Sequence, residues 1–339
     1  MNHRFHLGMW LVILGALHVI VGCAGFFAPY DPVAQNREQV FQPPARLRFV
    51  DLLGHFHIRP FFYPTGLRLD ALQYSEDPKQ PVPLRFFVTG APYRLLGVLP
   101  ARVHLFGTDH ASVYLLGSDG FGRDLFSRIL YGGQVSLLAG LLGTGLALSL
   151  GWGIGTAAGY FGGWRDELLM RTAELFLALP WLYLLFAVRA FLPLVVSPLQ
   201  AFSLVIAVIG TVGWVRPSRL IRGIVLSAKE RDFVRAARGF GASDVYLLRR
   251  HILPQTYNVM LTQAAILVPQ YVLAEMSLSF LGLGVPEPVA SWGNLLSSLQ
   301  QYSVLVSYWW MYAPAVAMVP FFMVYLRVAS LLQENKQAF

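Results

Sequence analysis

The residues with most chemical potential in this chain stand where charge is costly. Glu174 and Glu275 fall within or beside long apolar runs, where an ionised carboxylate costs about 2.5 kcal/mol or more and marks a pathway or a partner. Glu174 has a structural reading too, an ion pair with Arg171 three residues earlier on the same helix face. Arg123, Asp124 and Arg128 make a second charged group, able to meet an incoming solute or to form a local pair between Asp124 and Arg128, which stand four apart. Arg123, Asp124, Arg128, Glu174 and Glu275 are therefore the candidate pathway or gating residues. Arg189, near the end of an apolar run, is expected to snorkel to the interface.

Other chemistry finds less support. His55 and His57 share one face of a strand, but no third ligand is evident nearby, and no metal is assigned. There is neither a G-x-x-x-x-G-K-[ST] phosphate loop nor an H-E-x-x-H, so nucleotide hydrolysis and zinc proteolysis are not written here. The chain is expected to bind no cofactor; if ATP and Mg are used, a partner subunit holds them. Cys23 is the only cysteine and lies in an apolar run, which excludes an intrachain disulfide and a thiolate metal cluster.

The elements that carry these residues are membrane elements. Of 339 residues, 55% are hydrophobic and 13% charged, against about a quarter charged in a soluble domain. The net charge of +8 sits beside apolar runs rather than in a separate basic domain, pointing to lipid-flanking loops and away from nucleic acid. A spanning helix needs about 20 mostly apolar residues. Six runs qualify as candidates: residues 9–28, 135–159, 172–196, 201–215, 257–280 and 304–328, the fourth being the shortest. Glycines at 140, 143, 145, 151, 153, 155 and 159 crowd the second run and allow close helix approach. Residues 29–128 are polar and proline-rich, with strand-length stretches such as RLRFV, PLRFFVTG and YRLLGV.

The expected fold is an all-α polytopic membrane protein with about six transmembrane helices and a small, mainly β extracytoplasmic domain. Residues 1–8 form a cytoplasmic N-terminus, 9–28 the first span, 29–128 the outer domain, 129–330 the helical core and 331–339 a cytoplasmic tail. Orientation follows the basic residues of short loops. The segment 216–250 holds nine Arg and Lys against three acids, whereas 285–303 holds no Lys or Arg. The first is placed inside, the second outside, and both termini are cytoplasmic. The start of the chain resembles a secretory or lipoprotein signal in outline, but its apolar length and Ile20 three before Cys23 predict an uncleaved helix.

Within the basic loop lies RAARGFGASDVYLLRRHILPQT. Phe233, Val234, Ala236, Ala237 and Phe240 fit a short amphipathic helix, and Gly241 suits its left-handed stop. Ser243 or Asp244 can cap a second helix running toward Leu253 and Pro254. Two short helices joined at a glycine make a rigid knob.

This segment resembles the EAA loop of ABC importer permeases, Glu-Ala-Ala, three residues, Gly, nine residues, Ile-x-Leu-Pro. Arg235 stands at the glutamate position and His251 at the isoleucine position, so a salt bridge from that glutamate does not carry over. LGSDGFGRDLFSRILYGGQVSL, GYFGGWRDELLMRTAELFLALP and EMSLSFLGLGVPEPVASWG are similar, in order, to segments of the C-type subunits of dipeptide and oligopeptide permeases. The resemblance implies a type I-like importer fold in a bacterial inner membrane. It also implies a heterodimer with a second permease, two ATPase subunits and an extracytoplasmic solute-binding protein. Phe233, Ala236, Ala237, Gly241, Ala242, Ser243, Asp244, Leu253 and Pro254 would form the ATPase-coupling surface. Two alternatives stay open: a secondary transporter acting alone, though no internal repeat is evident, and a membrane-anchored sensor or assembly protein acting through its outer domain.

Overall fold

The computed structural model describes residues 2–68, 73–178, 180–191, 193 and 196–337. Leu179, Leu192, Leu194 and Val195 of the expected third span, and Ala338 and Phe339 of the expected tail, lie outside the described residues. Among the described helices, five are long and apolar enough to cross a membrane, or six if one bent pair counts as a single span.

Helix α1 (Asn2–Gly22) is followed at Cys23 by the short α2 (Ala24–Phe27). Among the described residues seven short strands come next: β1 (Arg48–Val50), β2 (Phe56–Phe62), β3 (Thr65–Arg68), β4 (Gln73–Glu76), β5 (Val82–Pro83), β6 (Arg85–Leu95) and β7 (Leu99–Gly107). They form three small antiparallel sheets, β1-β2-β5, β3-β4 and β6-β7. Strands thus occupy the middle of the expected outer interval, and the β character read from RLRFV and PLRFFVTG is present. YRLLGV turns out to be a hairpin end, with Leu96, Gly97 and Val98 between β6 and β7.

The second span is longer than its apolar run. Helix α3 (Leu125–Phe161) starts ten residues before the expected 135, because Asp124 caps it: the Ser127 amide and hydroxyl both donate to Asp124 Oδ2, at 2.8 and 2.6 Å. The third run is not one helix. Helices α4 (Gly163–Ala178) and α5 (Trp181–Ala190) flank Pro180, which supplies no amide hydrogen. The short fourth run belongs to a longer element, since α6 (Pro198–Gly213) passes through Trp214 into α7 (Val215–Lys229). The helix therefore continues into the basic segment expected to be loop. Then come α8 (Asp232–Gly239), α9 (Asp244–Leu247) and α10 (Tyr257–Phe280). After α11 (Trp292–Ser297) and α12 (Tyr302–Ser307), the last span α13 (Ala313–Gln337) begins nine residues later than expected and runs on through most of the expected tail.

The chain divides into two compact units, one of residues 1–11, 137–278 and 322–339, the other of 12–136 and 279–321. In the first unit, glycines of α3 let α6, α7 and α10 approach. A Cβ on Gly140 would crowd Val272 and the Val268 carbonyl, while one on Gly151, Gly155 or Gly159 would strike the α7 backbone or the residue leading into it. Their four-residue spacing makes one stripe down the helix. Gly145 and Gly153 have nothing within 4 Å of that position and are not part of the contact. In the second unit Phe62, Leu84, Phe106 and Val113 make a small core, and the Trp292 and Trp310 indoles donate to the carbonyls of Ile129 and Ser118.

Candidate functional site

Helices α8 and α9 stand on a dry stem. Val234, Leu247 and Ile252 are buried with Tyr160 of α3 and Ile221, Val225 and Ala228 of α7, and Ala237, Ala242 and Leu248 pack against them. The turn between the two helices closes as a Schellman motif: the Gly241 amide bonds the Arg238 carbonyl and the Ala242 amide bonds the Ala237 carbonyl. That geometry puts Gly241 at φ +85°, in the left-handed region where a side chain is strained. Ser243 then caps α9 by accepting from the Tyr246 amide at 3.4 Å. Beyond α9 a wide turn over Leu248–Ile252 and a tight one over Leu253–Thr256 lead without a break into α10, so the knob is rigidly continuous with a span.

The predicted surface residues divide by burial. Phe233, Ala236, Gly241, Ser243, Asp244 and Pro254 are exposed, whereas Ala237, Ala242 and Leu253 are half-buried against the stem. The exposed apolar face gains Phe240, Val245 and Tyr246, with Phe240 93% exposed. At the two positions that depart from the family pattern, Arg235 forms an ion pair with Glu230 and holds that carboxyl below its ordinary range. His251 lies 5.7 Å from the Phe233 ring and 5.6 Å from the Tyr246 ring. An aromatic cluster thus occupies the place of the isoleucine.

Sequence reasoning missed the polar tether. Tyr160 donates from its hydroxyl to Asp244 and accepts from Arg238 at 3.2 Å, while Lys229 bonds its carbonyl at 3.2 Å. Asp166 of α4 binds Arg222 of α7 through two bonds of 2.5 and 2.6 Å. Tyr160 and Asp166 both lie in the quoted GYFGGWRDELL segment, but nothing in the spacing connects them to residues more than 50 positions away.

Of the candidate pathway residues, Arg123, Asp124 and Arg128 belong to the second unit and Glu174 and Glu275 to the first. Arg123 and Arg128 are buried and converge on Glu287, with contacts of 2.6 and 3.0 Å, and on Asp119, at 2.7 and 3.4 Å. Asp124 does not pair with Arg128; its carboxylate faces Ser127, and Arg128 reaches past it to the two acids. Burial pushes Asp124 up to about 7, against the pull of the Ser127 bonds. Its Oδ1 and the Arg128 Nε are buried and make no hydrogen bond, although Nε is the atom 3.4 Å from Asp119 Oδ2. A cavity of about 360 Å³ opens beside this cluster, lined also by Phe41, Asn294 and Gln301. Asp119 and Glu287 were missed, although both lie in the quoted segments.

Glu275 is fully buried in α10. Glu174 is exposed on α4, and Arg171 pairs with Glu167 at 2.5 Å, one turn earlier, instead of with Glu174. Arg189 is buried and donates to the Pro193 carbonyl at 3.1 Å, so it does not snorkel outward. His55 and His57 both turn to Asp51 Oδ2, at 3.3 and 3.1 Å.

A chain of apolar helices joined by a helix-glycine-helix knob belongs among the polytopic helical membrane proteins. Residues 149–336 match the model of the binding-protein-dependent transport system inner membrane component, and the chain belongs to that family. It is 38% identical to a putative peptide permease protein of Brucella ovis over 57% of this chain and 62% of that one. It is 34% identical to the dipeptide transport system permease protein DppC of Bacillus subtilis over 62% and 61%, and 40% identical to a putative peptide transport system permease protein of Brucella suis over 64% and 68%. The chain thus spans about six tenths of the first of these relatives. A solved amino acid ABC transporter with histidines aligns at 16% identity and a TM-score of 0.42, over 62% of this chain and 94% of that one.

Proposed function

We propose that this chain is a permease subunit of an ATP-driven importer that brings di- or oligopeptides, or similar small solutes, across a bacterial inner membrane. Its partners are a second permease in a heterodimer, two ATPase subunits that hold ATP and Mg, and an extracytoplasmic solute-binding protein. The chain itself does not hydrolyse ATP. Both termini face the cytoplasm, and the strands of residues 48–107 lie outside.

One observation carries this reading: an exposed apolar face of Phe233, Phe240, Val245 and Tyr246 stands on a stem buried against α3 and α7 and continuous with α10. Aromatic residues in a well-anchored patch are what a protein interface uses as anchors. A partner that grips this face moves the attached helices with it, because packed elements shift between discrete arrangements and do not deform gradually. The peptide relatives supply the substrate class.

The test is purification of the tagged chain in mild detergent from its native membrane. The chain carries Cys23→Ser and a crosslinker at Phe240→Cys, a fully presented position, unlike the half-buried Ala242. Recovery of ATPase subunits joined at position 240 supports the importer. A chain that purifies alone and transports after reconstitution overturns it in favour of a secondary transporter.

A further inference from the structure

The β6-β7 hairpin lies along the junction of α1 and α2 and reaches back toward the apolar end of α1. Its contacts run in order along the helix. The His104 ring bonds the Ala28 carbonyl at 2.6 Å, a Cβ on Gly25 would overlap the Tyr93 ring, and one on Gly22 would meet Leu96 Cδ2 at 3.2 Å. Each step toward the hairpin tip is thus a step toward Gly22, the last residue of the apolar window Phe5–Gly22. The tip is therefore level with the end of a membrane span.

The tip is apolar where a turn does not need it to be. Leu96 and Gly97 both have positive φ, +52° and +76°, a two-residue pattern that favours Asn-Gly or Asp-Gly. A leucine is disfavoured in the left-handed region, so the side chain's value lies elsewhere. Leu96, Val98 and Leu99 are exposed by 63, 75 and 59%. No charged residue occurs between Arg94 and Arg102, and these two exposed arginines lie just behind the tip, beside the paired Tyr93–Ala101 and Arg94–Pro100 positions. At about 3.3 Å per residue, the apolar end extends roughly 7–10 Å beyond Arg94, the depth to which interfacial segments sink between headgroups and acyl chains, and Arg102 stands about two residues further back, behind the Tyr93–Ala101 pair. Arginines at that distance sit at phosphate level.

We infer that residues 95–99 form a lipid-inserting tip that seats the β6-β7 hairpin in the membrane interface beside α1, with Arg94 and Arg102 against lipid phosphates. The site goes beyond the transport reading and does not depend on it. The occupant is lipid because the tip abuts the end of a span, combines apolar side chains with flanking cations, and has no acid of its own.

The experiment uses the full chain, with any subunits that co-purify from its native membrane, in nanodiscs of phosphatidylethanolamine and phosphatidylglycerol. The chain carries Cys23→Ser and a spin label at Val98→Cys, Leu99→Cys or, as an aqueous control, Lys79→Cys in an exposed turn. Collisions with oxygen and with a water-soluble nickel chelate are compared. Lipid insertion gives labels at 98 and 99 an oxygen-to-nickel ratio several-fold above that at 79. A ratio equal to that at 79 places the tip in water and overturns the inference. So does shielding from both reagents, which would mean that another protein covers the tip. Agreement between positions 98 and 99 guards against a local effect of one label.

Discussion

The Tyr160 hydroxyl, next to the end of α3, donates to the carboxylate of Asp244, the first residue of α9. The two are 84 positions apart. This bond, with Arg238 bridging to the same hydroxyl, ties the knob to a span that its own chain segment does not enter. It makes α3 as much a part of the proposed transmission as α10.

Tyr160→Phe tests that tie. The buried ring stays, and both bonds of the hydroxyl, to Asp244 and from Arg238, are lost; with both partners largely exposed, together they are worth about 0.5–1.5 kcal/mol. Amides of residues 244–252 are expected to exchange up to about tenfold faster, since local opening follows local stability. In proteoliposomes the solute-stimulated fraction of ATPase activity should fall while membrane insertion is unchanged. Unaltered exchange and coupling would assign the rigidity to the apolar stem alone.

Gly241→Val acts on the turn. Nothing lies within 4 Å of the position its Cβ would take, so the cost is conformational, about 1–2 kcal/mol or more for a residue forced left-handed. ATPase subunits should co-purify less, with normal amounts of chain in the membrane. Gly241→Asn, which tolerates that conformation better, should recover much of the loss. Equal loss in both variants would argue against the backbone as the cause.

Asp124 gives a pH dependence of definite sign. Burial raises it from 3.8 to about 7, so the folded chain holds this proton more tightly than the unfolded one. Its contribution is complete below pH about 4 and declines as pH rises toward about 7. Thermal unfolding of the purified chain should show less loss of stability across this window in Asp124→Asn, which keeps the side-chain oxygen that caps α3. Asp124→Ala removes the cap too and should lower stability by about a further 1 kcal/mol. A wild-type profile in Asp124→Asn would show that another group titrates.

Glu287→Gln keeps the shape of the arginine cluster but leaves Asp119 as the one acid in the pairs with Arg123 and Arg128. Breaking a fully buried pair costs about 3–5 kcal/mol; Glu287 is 45% exposed, so about 1–2 kcal/mol is expected after solvent screening. The melting temperature should fall accordingly, and Glu287→Asp should fall between the two. An unchanged melting temperature would mean that water replaces the carboxylate at no cost.

Much of this protein was legible in the residues because its main signals are local. Long apolar runs announce spans, as at residues 257–280, where expected and observed helix coincide. The pattern through Phe233, Gly241 and Ser243 encodes a helix, a left-handed stop and a cap within a dozen residues. Hydropathy misled where something other than burial in lipid sets a boundary. Asp124 starts α3 early, Pro180 divides the third run, and α7 stays helical into the basic segment because its Ile221 and Val225 face the stem.

By itself the sequence determined a membrane protein, the order of its apolar runs and the helix-glycine-helix knob, carried by composition and short-range periodicity, and the family resemblance, carried by the quoted motifs. Only the tertiary structure decided which charges meet. Arg123 and Arg128 find Glu287 rather than Asp124, and Tyr160 finds Asp244. The hairpin tip likewise lies at Gly22 only because strands β6 and β7 pack along α2. Such pairings depend on side chains brought together across many residues of chain, and their energy comes from burial that no local pattern specifies.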